Sequence, residues 1–440
     1  MKTPPIVGMN RRQFLKGAAA AAAAPLIIPA SAVGRAGRLA PSDRIVMGSI
    51  GVGTMGFGDM SACMNVPGTQ VVAVCDVKRS MRERAKQAID AHNGNTDCAT
   101  YNDFRELLIR PDIDAVTIAT LDSWHVLHAL AAVRAGKDVY VEKPLGMSIQ
   151  EIQVLRDAVH RYGRVFQFGT QQRSSREFRR ACEIARNGLL GKLHTIKVGV
   201  HAGAAERSGL KTYTAEPVPD GLDYDLWLGP APWAPYTTAR LHYPHWFHIS
   251  DYSLGYVSGW GIHHIDIAQW GNNTELTGPV QIEGSARFPG DDALCDNPLS
   301  WDTRMKYANG TDLLFTGDGP GFTGVRQGVT FEGTDGWVWV NRGAIEADPE
   351  SLLREPFDPG AVCLPVSNSH QGNFLDCVRT RQKPISNIDV AVRSDTVCQL
   401  ASCAFHLGRK LRWDPVHEAF INDPDANRKL TRPLRAPWRL

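Results

Sequence analysis

The sequence predicts an α/β chain in two parts: a doubly wound parallel sheet over residues 43–168, and an α+β domain with a large, mainly antiparallel sheet over residues 169–440. Three observations lead there. A glycine-rich turn, Gly51-Val52-Gly53-Thr54-Met55-Gly56, directly follows a short apolar run. Apolar runs and helical patterns then alternate as far as Phe168, and beyond that point hairpin signals take over. A length of 440 residues agrees with more than one core.

The chain opens on an address. Asn10-Arg11-Arg12-Gln13-Phe14-Leu15-Lys16 precedes a mildly apolar stretch, Gly17 to Ala30, and then Ala30-Ser31-Ala32. A charged start, a short apolar middle and an A-x-A site describe a secretory leader over residues 1–32, and the paired arginines resemble the bacterial twin-arginine (Tat) signal. Cleavage is expected near Ala32, with the protein periplasmic or otherwise exported. The resemblance implies export in the folded state, which suits an enzyme that acquires a cofactor inside the cell. A membrane span is disfavoured, since about 20 apolar residues are needed and Pro25 and Pro29 interrupt this run. Composition excludes other classes. Hydrophobic residues at 43% and charged residues at 21% rule out a largely disordered chain. The net charge of +2 is too small for a general nucleic-acid binder. Nine cysteines, an odd number without any C-x-x-C pair, read as buried thiols rather than a disulfide scaffold or a thiolate zinc site.

In the first half, Arg44 to Ile50 reads as a buried strand and Val71 to Cys75 as a second, ending in Asp76, 20 positions after Gly56. That is the spacing of a Rossmann βαβ unit. Gly51 and Gly53 let the backbone turn towards a pyrophosphate, Gly56 lets helix and strand pack closely, and the helix N-terminus receives the phosphate charge. Asp76 can accept hydrogen bonds from ribose hydroxyls, which favours NAD over NADP, although Lys78 and Arg79 temper that preference. Ile113 to Ala119 is the next strand, Trp124 to Ala135 a helix closed by Gly136, and Asp138 to Glu142 a further strand. Ser148-Ile149-Gln150-Glu151 reads as a capping box opening a helix that ends near Gly163, before the strand Val165 to Phe168.

In the second half, Ser174 to Asn187 reads as a helix closed by Gly188. Asn309-Gly310 and Asp335-Gly336 each sit between strand-like runs, Trp301 to Tyr307 with Asp312 to Phe315, and Val329 to Glu332 with Trp337 to Val340. Helical patterns return at Asn373 to Arg381 and Val390 to Leu407. Five of the eleven tryptophans, at 227, 233, 246, 260 and 270, fall close together with Tyr236, Tyr243 and Tyr256. Flat rings suit the apolar faces of sugars, with Trp270 and Trp227 expected in the core and Trp246 less so. His242, His245, His248, His263 and His264 crowd the same stretch, but Pro244 breaks any continuous helical face and no Cys or Glu stands at ligand spacing. The expected chemistry is therefore metal-free.

Glu142-Lys143-Pro144 at the end of a strand, behind a Rossmann fingerprint, resembles the Gfo/Idh/MocA family of oxidoreductases. Other segments agree: Thr120-Leu121-Asp122-Ser123-Trp124-His125, the stretch Gln167 to Ser174, Gly221 to Pro230, Trp260 to Asp266, Gly408 to Pro415, and Arg435-Ala436-Pro437-Trp438. The resemblance implies NAD against the fingerprint residues Gly51, Gly53, Thr54, Met55 and Gly56, with Asp76 at the ribose, and export away from a soluble nicotinamide pool implies that it is tightly held. Thr120, Trp124, His125, Glu142, Lys143 and Gln171 join that cofactor set. It further implies a small carbohydrate substrate against Lys143, Arg173, Trp246, Trp260 and His263, no nucleic-acid partner, and a homo-oligomer, dimer or tetramer, paired through the outer face of the large sheet. Lys143 would hold the reacting oxygen, and His263 would act as general base or acid, with His264 in reserve. Many members carry Asp-x-x-x-His on a helix; here those positions read Gly259-Trp260-Gly261-Ile262-His263. The aspartate is missing. Gly259 is expected to leave space for substrate or for another carboxylate, with Asp251 and Asp266 as candidates, or with Asp266 merely orienting a histidine.

Three functional readings follow. The leading one is an NAD-dependent oxidoreductase acting on CH-OH groups of a sugar, cyclitol or glycoside. The second is a glycosidase-like enzyme that retains NAD and works by transient oxidation and elimination, marked by exchange of the neighbouring C–H and by sugar release without net NADH. The third is a non-catalytic sugar- or nucleotide-binding protein, against which the presence of both Lys143 and His263 argues.

Overall fold

The computed structural model describes residues 43–203, 214–318, 325–354 and 356–440, and Ile45–Leu440 form one compact unit. The leader expected at residues 1–32 lies outside the described residues. The first sheet holds β1 (Ile45–Ile50), β2 (Thr69–Cys75), β3 (Ala99–Tyr101), β4 (Ala115–Ile118), β5 (Asp138–Val141) and β6 (Phe166–Phe168), all parallel, in the order β3-β2-β1-β4-β5-β6. β4 and β5 are buried at every position, because helices cover both faces of a parallel sheet. The order reverses between β1 and β4, and the crevice at their carboxyl ends is where such sheets take ligands.

Two local expectations are revised. The helix expected from Trp124 begins at Asp122, which brings a carboxyl into its first turn. The capping box at Ser148 is half formed: Glu151 accepts from the Ser148 backbone N–H, while the Ser148 hydroxyl is buried without a partner among the described residues.

The second sheet has nine strands: β7 (Leu193–Val200), β8 (Gln281–Arg287), β9 (Ser300–Lys306), β10 (Asp312–Gly317), β11 (Gly328–Gly333), β12 (Trp337–Asn341), β13 (Ala344–Asp348), β14 (Leu411–Asp414) and β15 (Ala419–Phe420). Their order is β13-β12-β11-β7-β10-β9-β8-β14-β15, antiparallel except where β7 runs beside β10. Both predicted hairpins form, β9 with β10 and β11 with β12. β7 sits mid-sheet with no turn signal to announce it. The helices Arg176–Arg186, Gly261–Gly271 and Ile388–Leu407 pack together on this sheet. Eight of the nine cysteines are buried and none forms a disulfide. No helix among the described residues is long and apolar enough to cross a membrane.

A buried ion-pair network ties the last two of these helices to the turn Gln171–Ser174. Arg173 donates to Asp266 at 2.6 and 2.8 Å and to Glu275 at 2.7 Å, while Ser394 donates to Asp266 at 2.8 Å. Arg173 is 2% exposed and Asp266 fully buried. Removing one partner of a buried pair strands the other charge, at about 3–5 kcal/mol. Arg173→Met is therefore expected to cost that much in denaturant unfolding, and a loss under about 1 kcal/mol would show the network to be dispensable.

The chain's end folds back onto the first sheet. The helix His370–Thr380 packs on the helix Thr54–Met64, with Gln371 donating to Asp59 at 2.9 Å. Arg432 pairs with Glu151 at 2.6 Å, and the Trp438 ring meets Trp124 edge-on at 4.6 Å.

Candidate active site

A cleft of about 420 Å³ runs along the carboxyl edge of the first sheet, from the Gly51 turn to Lys143, and residues of the second half form its far wall. At its first end, Gly51 takes φ +77°, and a side chain there would meet Ala119 O at 2.5 Å; a Cβ on Gly56 would stand 2.0 Å from Gly51 O. The turn and the helix behind it can approach this closely only as glycines. Around Gly53, in contrast, a Cβ would meet nothing within 4 Å. That open cradle at a helix N-terminus fits the pyrophosphate of a dinucleotide. The Asp76 carboxyl accepts from Val52 N and Lys78 N, both at 2.9 Å, which holds it at the end of β2 on the cleft wall. Burial raises its pKa and these two N–H donors oppose that shift. Arg82 anchors the same corner through the Asp76 carbonyl and Asn102, and Asn102 in turn donates to Asp223 at 2.8 Å.

Thr120, Trp124 and His125 follow β4. The Trp124 indole stacks on His128 at 4.4 Å and donates to Leu226 O at 3.0 Å, fastening the far wall to the sheet. Both His125 ring nitrogens face backbone carbonyls, Pro144 O at 2.6 Å and Thr120 O at 3.2 Å. Burial pushes this imidazole down to about 4, so it is neutral and straps the end of β4 to the turn carrying Lys143. Asp395 supports that turn from the other side by accepting from Leu145 N at 3.2 Å. Glu142 is buried beneath it, accepting from Gln171 at 2.5 Å and from Lys143 N at 3.2 Å. Burial raises the Glu142 pKa, and raises that of the neighbouring Asp59 well above the carboxylate range.

The Lys143 ammonium lies in the cleft, 5.0 Å from the centroid of the Phe247 ring. Phe247 corrects one expectation. A Cβ on Gly259 would stand 2.0 Å from Phe247 Cε1, so the missing aspartate leaves no gap: the phenyl ring fills its place. Nor do Asp251 and Asp266 supply the acid. Asp266 is spent on Arg173 and orients neither histidine, and Asp251 lies off the cleft wall near Asp296 and Arg240. Arg173, expected at the substrate, is likewise committed to Asp266 and Glu275.

His263 is buried close enough for the Lys143 charge to act on it, but behind the cleft wall rather than in it. Burial first, then Lys143 and Arg342, hold its pKa well below the ordinary range, so the ring is neutral at physiological pH. Its Nδ1 has no partner among the described residues. His264 is buried with neither ring nitrogen partnered and is pushed down to about 3. Trp260 lies under the Arg342 guanidinium at 4.6 Å. Trp246 lines the cleft, and Trp227, expected in the core, lines it too. Trp270 is buried. No group of three metal-ligating side chains occurs among the described residues.

Sequence reasoning passed over Asp122, Phe247 and Arg342. Asp122 had a signal, an acid just beyond a parallel strand at the switch point; Phe247 and Arg342 had none, since packing alone brings the turn His245–His248 and the β12–β13 connection to this side of the cleft.

The strand order, the glycine cradle and an ammonium at the carboxyl edge define the class as a dinucleotide-binding oxidoreductase fold. Residues 45–170 match the model described as oxidoreductase family, NAD-binding Rossmann fold, and residues 175–440 match that of the same family's C-terminal alpha/beta domain. The chain belongs to the Gfo/Idh/MocA oxidoreductase family. Residues 8–27 match the twin-arginine translocation signal sequence. A glycosyl hydrolase family 109 protein of Shewanella sp. (strain ANA-3) is 32% identical over 203 residues, 42% of this chain and 44% of that protein. An alpha-N-acetylgalactosaminidase of Shewanella oneidensis is 30% identical over the same length. These matches thus span under half of the relatives' length. Among solved structures, the WlbA dehydrogenase of Bordetella pertussis, in complex with NADH and UDP-GlcNAcA, is similar at TM-score 0.61 and 15% identity, covering 84% of this chain and 99% of that one. Scyllo-inositol dehydrogenase of Lactobacillus casei gives 0.57 and 16% over the same shares. At these identities the likeness is one of fold.

Proposed function

We propose that this protein is an exported, NAD-dependent enzyme that transfers hydride at a CH–OH carbon of a sugar, cyclitol or glycoside. The observation that carries the reading is one cleft joining the glycine cradle and Asp76 to the Lys143 ammonium and an aromatic wall of Trp227, Tyr243, Trp246 and Phe247. Gly51, Gly53, Gly56 and Asp76 would hold the dinucleotide, which supplies a hydride acceptor when bound. Lys143 binds the reacting oxygen and favours its deprotonation, and the rings cover the apolar face of the substrate and exclude water. His263, buried and neutral behind the cleft wall, has no role as a charged acid in this reading. The carboxyl at Asp76 favours NAD over NADP by repelling a 2′-phosphate. An exported protein meets no soluble nicotinamide pool, so the cofactor is held tightly and regenerated in place, with the leader removed near Ala32 and the mature chain a homo-oligomer.

The family 109 relatives favour a second reading, the redox-neutral one, in which oxidation acidifies a neighbouring C–H, the glycosidic bond is eliminated and the hydride returns. Mass spectrometry of the nucleotide released on denaturation, followed by assays with myo-inositol and p-nitrophenyl N-acetyl-α-D-galactosaminide, separates the two. Accumulating NADH with myo-inositol supports the first reading. Nitrophenol release at constant NADH supports the second. A purified protein that neither retains nor binds a nicotinamide nucleotide overturns both.

A further inference from the structure

Three carboxyls line the cleft: Asp76, Glu142 and Asp122. Two are occupied. Each Asp76 oxygen holds a backbone N–H, and the Glu142 oxygens hold Gln171 and the Lys143 backbone. Asp122 differs. It is 2% exposed, Ser253 bonds its carboxyl, and its Oδ2 is buried with no partner among the described residues. The Lys143 ammonium acts on it from the turn after β5 and Asp395 from the helix Ile388–Leu407; His125, one turn further along its own helix, is neutral. Arg432 pairs with Glu151 and, on the side of Asp122, reaches the Ser123 carbonyl at 3.0 Å rather than the carboxyl. Meanwhile Phe247 bars an acid at Gly259, and His263 is held neutral.

We propose that Asp122 is the carboxyl that exchanges protons with Lys143 during turnover, in place of the acid excluded at Gly259. This rests on the hydride-transfer reading. No ion pair among the described residues joins Lys143 and Asp122 at rest, so the lysine stem swings between substrate and carboxyl: when the alcohol is oxidised, its C–H hydride goes to the nicotinamide dinucleotide and its O–H proton to Lys143, while a Lys143 proton passes to the Asp122 carboxylate. On reduction both proton moves reverse. Because Asp122 acts through Lys143, it is a positioning and proton-holding residue rather than one that touches substrate. Burial lifts its pKa to about 7, so the carboxyl can hold or release a proton near neutrality.

The test uses the full mature chain with NAD. Infrared difference spectra between about pH 5 and about pH 9 should show a protonated carboxyl titrating near neutrality. Burial also lifts Asp395 to about 7, so the band has two components: Asp395→Asn removes its own and moves the Asp122 component downward by deleting a neighbouring negative charge, Asp122→Asn removes the other, and Lys143→Met shifts the Asp122 component upward by removing the neighbouring cation. With whichever of the two probes above is turned over, Asp122→Asn should lower kcat roughly 100-fold, erase the limb of the kcat profile near neutrality and leave KM and NADH affinity unchanged, with Asp122→Glu restoring part of the rate. An unchanged pH profile in Asp122→Asn, or a band indifferent to Lys143→Met, overturns the proposal. Failure of the wild type to bind NADH instead defeats the underlying hydride-transfer reading, and the infrared titration still decides whether Asp122 and Lys143 are coupled.

Discussion

Lys143→Met is expected to lower kcat by roughly 100- to 10,000-fold while leaving NADH affinity within about threefold of wild type. Methionine keeps the length of the aliphatic stem and can rest on the Phe247 ring as the lysine does, so the fold and the glycine cradle are untouched. On the proposed reading, what is lost is the ammonium that would stabilise negative charge on the reacting oxygen, an interaction strongest in the transition state and hence expressed in kcat. Fluorescence titration with NADH and steady-state assays with the two carbohydrate probes give the separate numbers. A variant that turns over at the wild-type rate would remove Lys143 from the chemistry, and one that loses NADH binding would assign it to the cofactor alone.

Gly259→Asp, the change that restores the family's aspartate, is expected to damage the protein rather than improve it. The new Cβ would stand 2.0 Å from Phe247 Cε1, so the ring must leave its place beside Lys143. Overpacking of this kind costs about 1–3 kcal/mol, and displacing the ring disturbs the cleft wall beside the ammonium. Phe247→Ala alone costs about 3–5 kcal/mol by leaving a cavity, since the ring is 7% exposed. The double variant Phe247→Ala/Gly259→Asp should be more stable than the sum of the two by about 0.5–3 kcal/mol, because each change supplies what the other lacks. Denaturant unfolding of the four proteins measures that coupling. Simple additivity would mean that the phenyl ring and the missing carboxylate do not compete for one place.

Both predictions turn on Phe247, and there the limits of reading the sequence are plain. The substitution at Gly259 is visible in the chain, but its meaning is not. A glycine in place of an aspartate reads as vacancy until a ring twelve positions earlier is found inside it. The same holds for Arg173, whose neighbours in sequence suggested substrate, whereas Asp266 and Glu275, about a hundred positions away, claim its guanidinium. Asp122 had its position written in the alternation of strands and helices, yet its chemistry depends on Lys143, Ser253 and Asp395 converging from three other elements.

The sequence alone determined the doubly wound sheet, the glycine cradle, the acid after β2, the Glu142-Lys143-Pro144 turn and the two hairpins. These are local: each follows from apolar periodicity, from turn chemistry or from a short fixed spacing, and such signals survive without tertiary context. Only the tertiary structure decided which carboxyls share a cleft with the ammonium, which histidines are too buried to charge, and what fills the place of the absent acid. Burial and electrostatic proximity depend on residues far apart in the chain, so they exist only once the two halves close on the same cleft.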